Sequence, residues 1–193
     1  MEKLAKPVTC AITGRRPEGF TWDYADGKAK TKYLALLEEV LEKLIQEGVT
    51  SFITGGALGV DLDVAEIVLK LQRKYPFVTH LLALPYANQG GRYASIDKIR
   101  HERVQKSSLV VCLSNTFTPW CMQQRNEYMV DNADLLLAFA CGEKTGGTYN
   151  TIRYAKHKNK PVYLFDLAAC PTASANDWLA NAKQYAVTQL KLI

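Results

Sequence analysis

Short runs of aliphatic and β-branched residues alternate with longer amphipathic segments along almost the whole chain. That rhythm constrains the fold more than any single motif. The runs are VTCAIT (8–13), TSFIT (50–54), VTHLLAL (78–84), SLVVCL (108–113), ADLLLAF (133–139) and PVYLF (161–165). Each has strand length, and the segments between them carry apolar residues at helical spacing. The clearest is TKYLALLEEVLEKLIQEG (31–48), with Gly48 placed to end it. Further helices are expected at about 60–74, 96–107, 120–131 and 148–158, and a helical tail at 173–186. Strand–helix alternation builds a parallel sheet with helices on both faces, so the expected class is α/β. With 193 residues and no linker-like stretch, one domain over 1–193 is expected, its core at about 8–166.

Composition removes several classes. Hydrophobic residues make up 48% and charged ones 22%, as in ordinary folded domains. The apolar runs fall well short of the roughly 18 residues a membrane span needs, and MEKLAKPV has no apolar leader segment, so a cytoplasmic protein without a membrane partner is expected. Cys10, Cys112, Cys121, Cys141 and Cys170 form no C-x-x-C pair and read as reduced thiols, mostly core fillers. His80, His101 and His157 lie far apart without ligand spacing, so no metal is expected. The net charge of +5 hints at an anionic partner without saying whether nucleotide or polymer, and its dispersal disfavours a nucleic-acid partner. An uncovered helix face leaves a homo-oligomer open.

Right-handed crossovers place every strand-to-helix loop at one end of such a sheet, where these folds bind ligands. Three of those loops carry chemistry. In TSFITGGALGVD, Gly55, Gly56 and Gly59 let the backbone approach a ligand, and Asp61 is suited to a ribose hydroxyl or to stabilising the helix start. In GEKTGGTYNTIRYAKH, Gly146, Gly147 and Thr148 open a helix whose free N–H groups can receive phosphate, with the Thr148 hydroxyl as cap or as phosphate partner. The plain reading of both is a tight turn. In ITGRRPEGF, Gly14 ends a strand beside Arg15 and Arg16, one expected to face a phosphate and the other solvent. Phe20, Trp22 and Tyr24 follow, and packing on the protein's own body outweighs base stacking as their use. Arg125, on a helix that runs into the apolar strand at 133–139, either pairs with phosphate or covers the surface by snorkelling. Its replacement by alanine is expected to leave the fold intact.

Taken together, TGGALGVD, MQQRNEYMVDNADLLLAF and GGTYNTIRYA resemble the SLOG superfamily, in particular its small YpsA/YoqJ-like bacterial and phage members. TGRRP and LPYANQ extend the likeness from about Thr9 to Phe165. The resemblance implies a three-layer Rossmann-like fold and nucleotide binding, with LOG-type phosphoribohydrolases and the DNA-processing protein DprA as wider relatives. In the LOG-type pattern, Arg125 matches the catalytic arginine and Gly147 with Thr148 the phosphate-binding pair, while the glutamate position falls on Thr151. Threonine cannot serve as a general acid or stabilise an oxocarbenium-like centre. The first expectation is therefore a binding domain for a nucleotide or an ADP-ribose- or NAD-derived ligand, acting as sensor or signal receptor, with no obligatory cofactor. The second is a nucleotide N-glycosidase built on Arg125 and an acid such as Asp61, Glu127 or Glu143. The third is DprA-like binding of single-stranded DNA.

Overall fold

The computed structural model describes residues 7–170 together with 174, 176–178, 180 and 182. In chain order its elements are β1 (Val8–Gly14), α1 (Gly27–Gln46), β2 (Val49–Thr54), α2 (Val60–Leu71), β3 (Thr79–Leu84), α3 (Ser95–Ser107), β4 (Leu109–Cys112), α4 (Cys121–Asp131), β5 (Leu135–Ala140), α5 (Gly146–His157) and β6 (Val162–Asp166). Two 3-10 turns, Pro17–Gly19 and Gln89–Arg92, sit in the β1–α1 and β3–α3 connections. The apolar period of α1 shows only from Tyr33 onward, whereas the helix begins at Gly27 because the Asp26 carboxylate accepts the Lys28 N–H at 2.9 Å. Gly48, at φ 106°, lies just past its C-cap.

The six strands are parallel in the order β4-β3-β2-β1-β5-β6. Successive side chains of a strand point to opposite faces. Cys10, Ile12, Phe52, Leu137, Phe139 and Phe165 therefore share one face, packed under Leu37, Leu41, Val64 and Val68 of α1 and α2. Ala11, Ile53, Ala83, Leu136 and Ala138 occupy the other, against Met129 and Val130 of α4 and Ile152 and Ala155 of α5. A smaller cluster joins Leu62 and Ala65 of α2 to Leu82, Leu84 and Val104. The result is the expected three-layer, Rossmann-like α/β arrangement. Of the tail expected at 173–186, residues 176–178, 180 and 182 are helical, Ser174 is not, and the rest lies outside the described residues. Trp178 packs on Phe139 and Phe165 and donates its Nε1–H to the Asp166 carbonyl at 2.9 Å.

From β1 the chain works outward through β2 and β3 to β4, then returns to place β5 on the other side of β1. The loops after β1 and β5 therefore diverge, and a crevice forms between them at the carboxyl edge of the sheet.

Candidate functional site

A cavity of about 350 Å³ occupies that crevice. Gly14, Arg15 and Arg16 come to it from the β1–α1 connection, Asp61 from α2, Arg125 and Asn126 from α4, and Gly147 and Thr148 from α5. Gly55 lies beneath Arg125. Gly56, Gly59 and Gly146 do not line the cavity.

Of the two uses its position suggested, Arg125 does not take the second. It is only 6% exposed, so it does not snorkel, and its charge meets a carboxylate of the protein itself: Nη1 lies 3.4 Å from Asp61 Oδ2. Its Nε–H donates to Asn126 Oδ1 at 2.8 Å. A β-carbon at Gly55 would fall 1.4 Å from Arg125 Nη1, so the glycine exists to admit the guanidinium. The Gly55 N–H donates to Asp61 Oδ2 at 3.1 Å. Burial pushes the Asp61 carboxyl above its ordinary range, with Arg125 and the Ala57 and Gly55 N–H groups opposing it. Burial likewise lowers Arg125. Removing either partner strands a buried charge, so Arg125→Ala costs stability, contrary to the expectation from sequence.

The bend before α2 is filled by the protein. The Val60 N–H donates to the Arg15 carbonyl at 3.2 Å, and a β-carbon at Gly59 would stand 2.4 Å from that same oxygen. Gly56, at φ 65°, faces Leu82 and His101 rather than the cavity. Asp61 and Asp63 place negative charge in the first turn and already meet the positive end of the helix dipole. Asp63 accepts from Tyr24 at 2.6 Å and from Arg100 at 2.7 Å.

At α5 the same kind of bend stays open. Its N-cap, Thr145, makes no side-chain capping bond. Nothing lies within 4 Å of a β-carbon built on Gly146, and only Asn126 Nδ2, at 3.9 Å, lies that near one on Gly147. First-turn N–H groups that no capping side chain takes are available to an anion. The Thr148 hydroxyl has another partner than its own helix: it donates to the Gly14 carbonyl at 3.0 Å and ties α5 to β1. Thr151, where the LOG-type pattern has glutamate, is fully buried and donates to the Gly147 carbonyl at 2.8 Å.

Both loop arginines line the cavity, rather than one alone. Arg15 is held by Glu143 Oε1 at 3.2 Å and by the Gly19 carbonyl at 3.3 Å. Arg16 is exposed and makes no ion pair among the described residues. Glu143 also accepts the Cys141 N–H, and Glu127 accepts from Gln123; neither lines the cavity. Phe20, Trp22 and Tyr24 pack around Tyr33, and Trp22 donates to the Leu167 carbonyl, so they serve the body of the protein. Sequence reasoning missed Asn126 and Met122 in the wall. The signal for Met122 was its place one helical turn before Arg125 on the same α4 face, whereas Asn126, the next residue round the helix, had no such signal. Among the described residues, no three His, Cys, Asp or Glu side chains cluster to hold a metal ion, and no helix is long and apolar enough to cross a membrane.

The chain is similar to several known proteins. An uncharacterized SPbeta prophage-derived protein, YoqJ of Bacillus subtilis, is 33% identical over 142 residues, covering 67% of this chain and 81% of YoqJ. The UPF0398 protein YpsA of the same organism is 25% identical over 164 residues, covering 81% and 91%. Among solved structures, the molybdenum cofactor carrier protein of Chlamydomonas reinhardtii aligns with a TM-score of 0.44 and 15% identity, over 82% of this chain and 76% of that one. The model of the YspA SLOG family matches residues 10–169, and the chain belongs to that family.

Proposed function

We propose that the protein is a receptor for a small phosphorylated ligand of nucleotide type, bound at the β1/β5 crevice. The observation that carries this reading is the open first turn of α5, facing a cavity whose opposite wall carries Arg15 and Arg16. Uncapped N–H groups and a helix dipole favour an anion, and guanidinium groups recognise phosphate bidentately. The cavity volume falls within the range of small-molecule sites. A sensor role fits better than hydrolysis because the LOG-type glutamate position is Thr151 and the buried carboxylate of the wall, Asp61, is engaged with Gly55 and Arg125, while the other wall carboxylate, Glu18, is exposed.

A panel of AMP, ADP-ribose, NAD and cyclic nucleotides tests it by thermal shift. A ligand at about a hundred times its dissociation constant adds ~2.7 kcal/mol to stability. Arg16→Ala, at an exposed position, should leave the ligand-free melting temperature nearly unchanged and shrink the shift. A panel without any shift overturns the reading.

One observation favours a second reading, nucleotide N-glycosidase. Asp61 is a carboxyl in the cavity wall that burial moves toward the protonated form, beside an arginine. Release of free base from mononucleotides, lost in Asp61→Asn, would establish it, and no base at high protein concentration would remove it.

A further inference from the structure

A second groove continues from the crevice, between α4 and α5. It shares Met122, Asn126 and Gly147 with the crevice and holds about 600 Å³. From Gly147 it follows α5 past Asn150 and Arg153 to His157, a path of about 15 Å at the helical rise per residue. No carboxylate lines it: Glu127 accepts from Gln123, and Asp131 is engaged by Lys158 and Tyr154. Arg153 and His157 make no ion pair among the described residues. Trp120, on the α4 side, is 72% exposed, whereas Trp22 and Trp178 are packed and hydrogen-bonded. A bare indole offers a planar face on which any base can stack.

We propose that this groove receives the second half of the ligand bound in the crevice. The ligand is then two-ended, with one phosphate at the first turn of α5, a planar aromatic ring on Trp120 and further negative charge beside Arg153. The proposal rests on the reading of the crevice given above. Size and the free indole favour this direction over a pocket at Tyr86, Arg92 and Tyr93, which shares Arg16, Glu18 and Met122 with the crevice. That pocket holds only about 210 Å³, and its Tyr86 already packs edge-on against Phe117.

The test compares ADP-ribose with ribose 5-phosphate by calorimetry and by intrinsic fluorescence. ADP-ribose should quench tryptophan emission saturably, and ribose 5-phosphate should bind more weakly without quenching. Trp120→Ala should weaken ADP-ribose about tenfold, within the range of single-base stacking, and leave ribose 5-phosphate unchanged. Trp120→Phe, which keeps a ring, should restore most of the affinity without the quench. ADP-ribose binding with unchanged emission and unchanged affinity in Trp120→Ala overturns this inference and leaves the crevice reading standing. Ribose 5-phosphate binding as tightly as ADP-ribose does the same. If neither probe binds, this inference falls, and the crevice reading stands or falls with the nucleotide panel.

Discussion

The corner before α2 and the corner before α5 are both strand ends that pass through adjacent glycines into a helix, yet the first is filled and the second is open. At α2 the space over Gly55 is taken by Arg125, the helix start is closed by the Arg15 carbonyl, and two carboxylates sit in the first turn. At α5 there is no acid in the first turn, no capping side chain and almost nothing near the glycines. A glycine pair thus says that something comes close to the backbone without saying what. Charge in the following turn is the better guide, because a helix start that already carries Asp repels a second anion.

The largest expected effect sets the two corners against each other. Gly55→Ala would force Arg125 off Asp61 and should cost about 3 kcal/mol, the low end for breaking a buried ion pair. Gly147→Ala, with only Asn126 at 3.9 Å, should change stability by less than about 1 kcal/mol. Urea denaturation of both variants measures the contrast, and equal losses would break it.

Acid should separate the corners next. Beside Thr54, the residue before Gly55, His80 is buried, with Thr54 Oγ1 3.0 Å from its Nε2 and Ser108 Oγ 2.6 Å from its Nδ1. Ser108 donates its own proton to the Val104 carbonyl, so it accepts from Nδ1–H, and Nε2 accepts from Thr54. This holds the ring neutral, and burial lowers its pKa from 6.5 to about 4. The unfolded chain therefore binds the proton first. Stability is full above pH 6.5 and declines as pH falls toward 4, by about 3 kcal/mol from this group. Asp61 and Asp63, whose carboxyls burial raises above the ordinary 3.8, act in the opposite sense, regaining stability as the pH falls toward that value. The difference between wild type and His80→Gln isolates the histidine, and parallel pH profiles would refute its assignment.

A smaller effect concerns the tether between α5 and β1. Thr148→Val keeps the shape, removes the bond to the Gly14 carbonyl and should cost about 1 kcal/mol by the same denaturation. An unchanged midpoint would mean that the open corner needs no such tether.

The alternation of strands and helices made the sheet legible in the sequence because strand and helix periods differ and each element repeats its own several times. Convergence of Gly14, Arg15, Arg16, Arg125, Gly147 and Thr148 was legible too, since parallel connections send those loops to one edge. What was not legible was pairing. Nothing local reveals that Arg125 spends its charge on Asp61, or that the Thr148 hydroxyl donates to Gly14, because those partners meet only once the sheet is assembled. The start of α1 was missed for the opposite reason: Asp26 is a short-range cap, but it stands before the apolar period begins.

The guanidinium lodged over Gly55 has a consequence for descent. A lineage that shortens Arg125 leaves a hole above the glycine, and one that adds a carbon at position 55 meets the arginine head-on. The two sites, distant along the chain, can be exchanged for another solution only together, so drift at either should be arrested until the other yields.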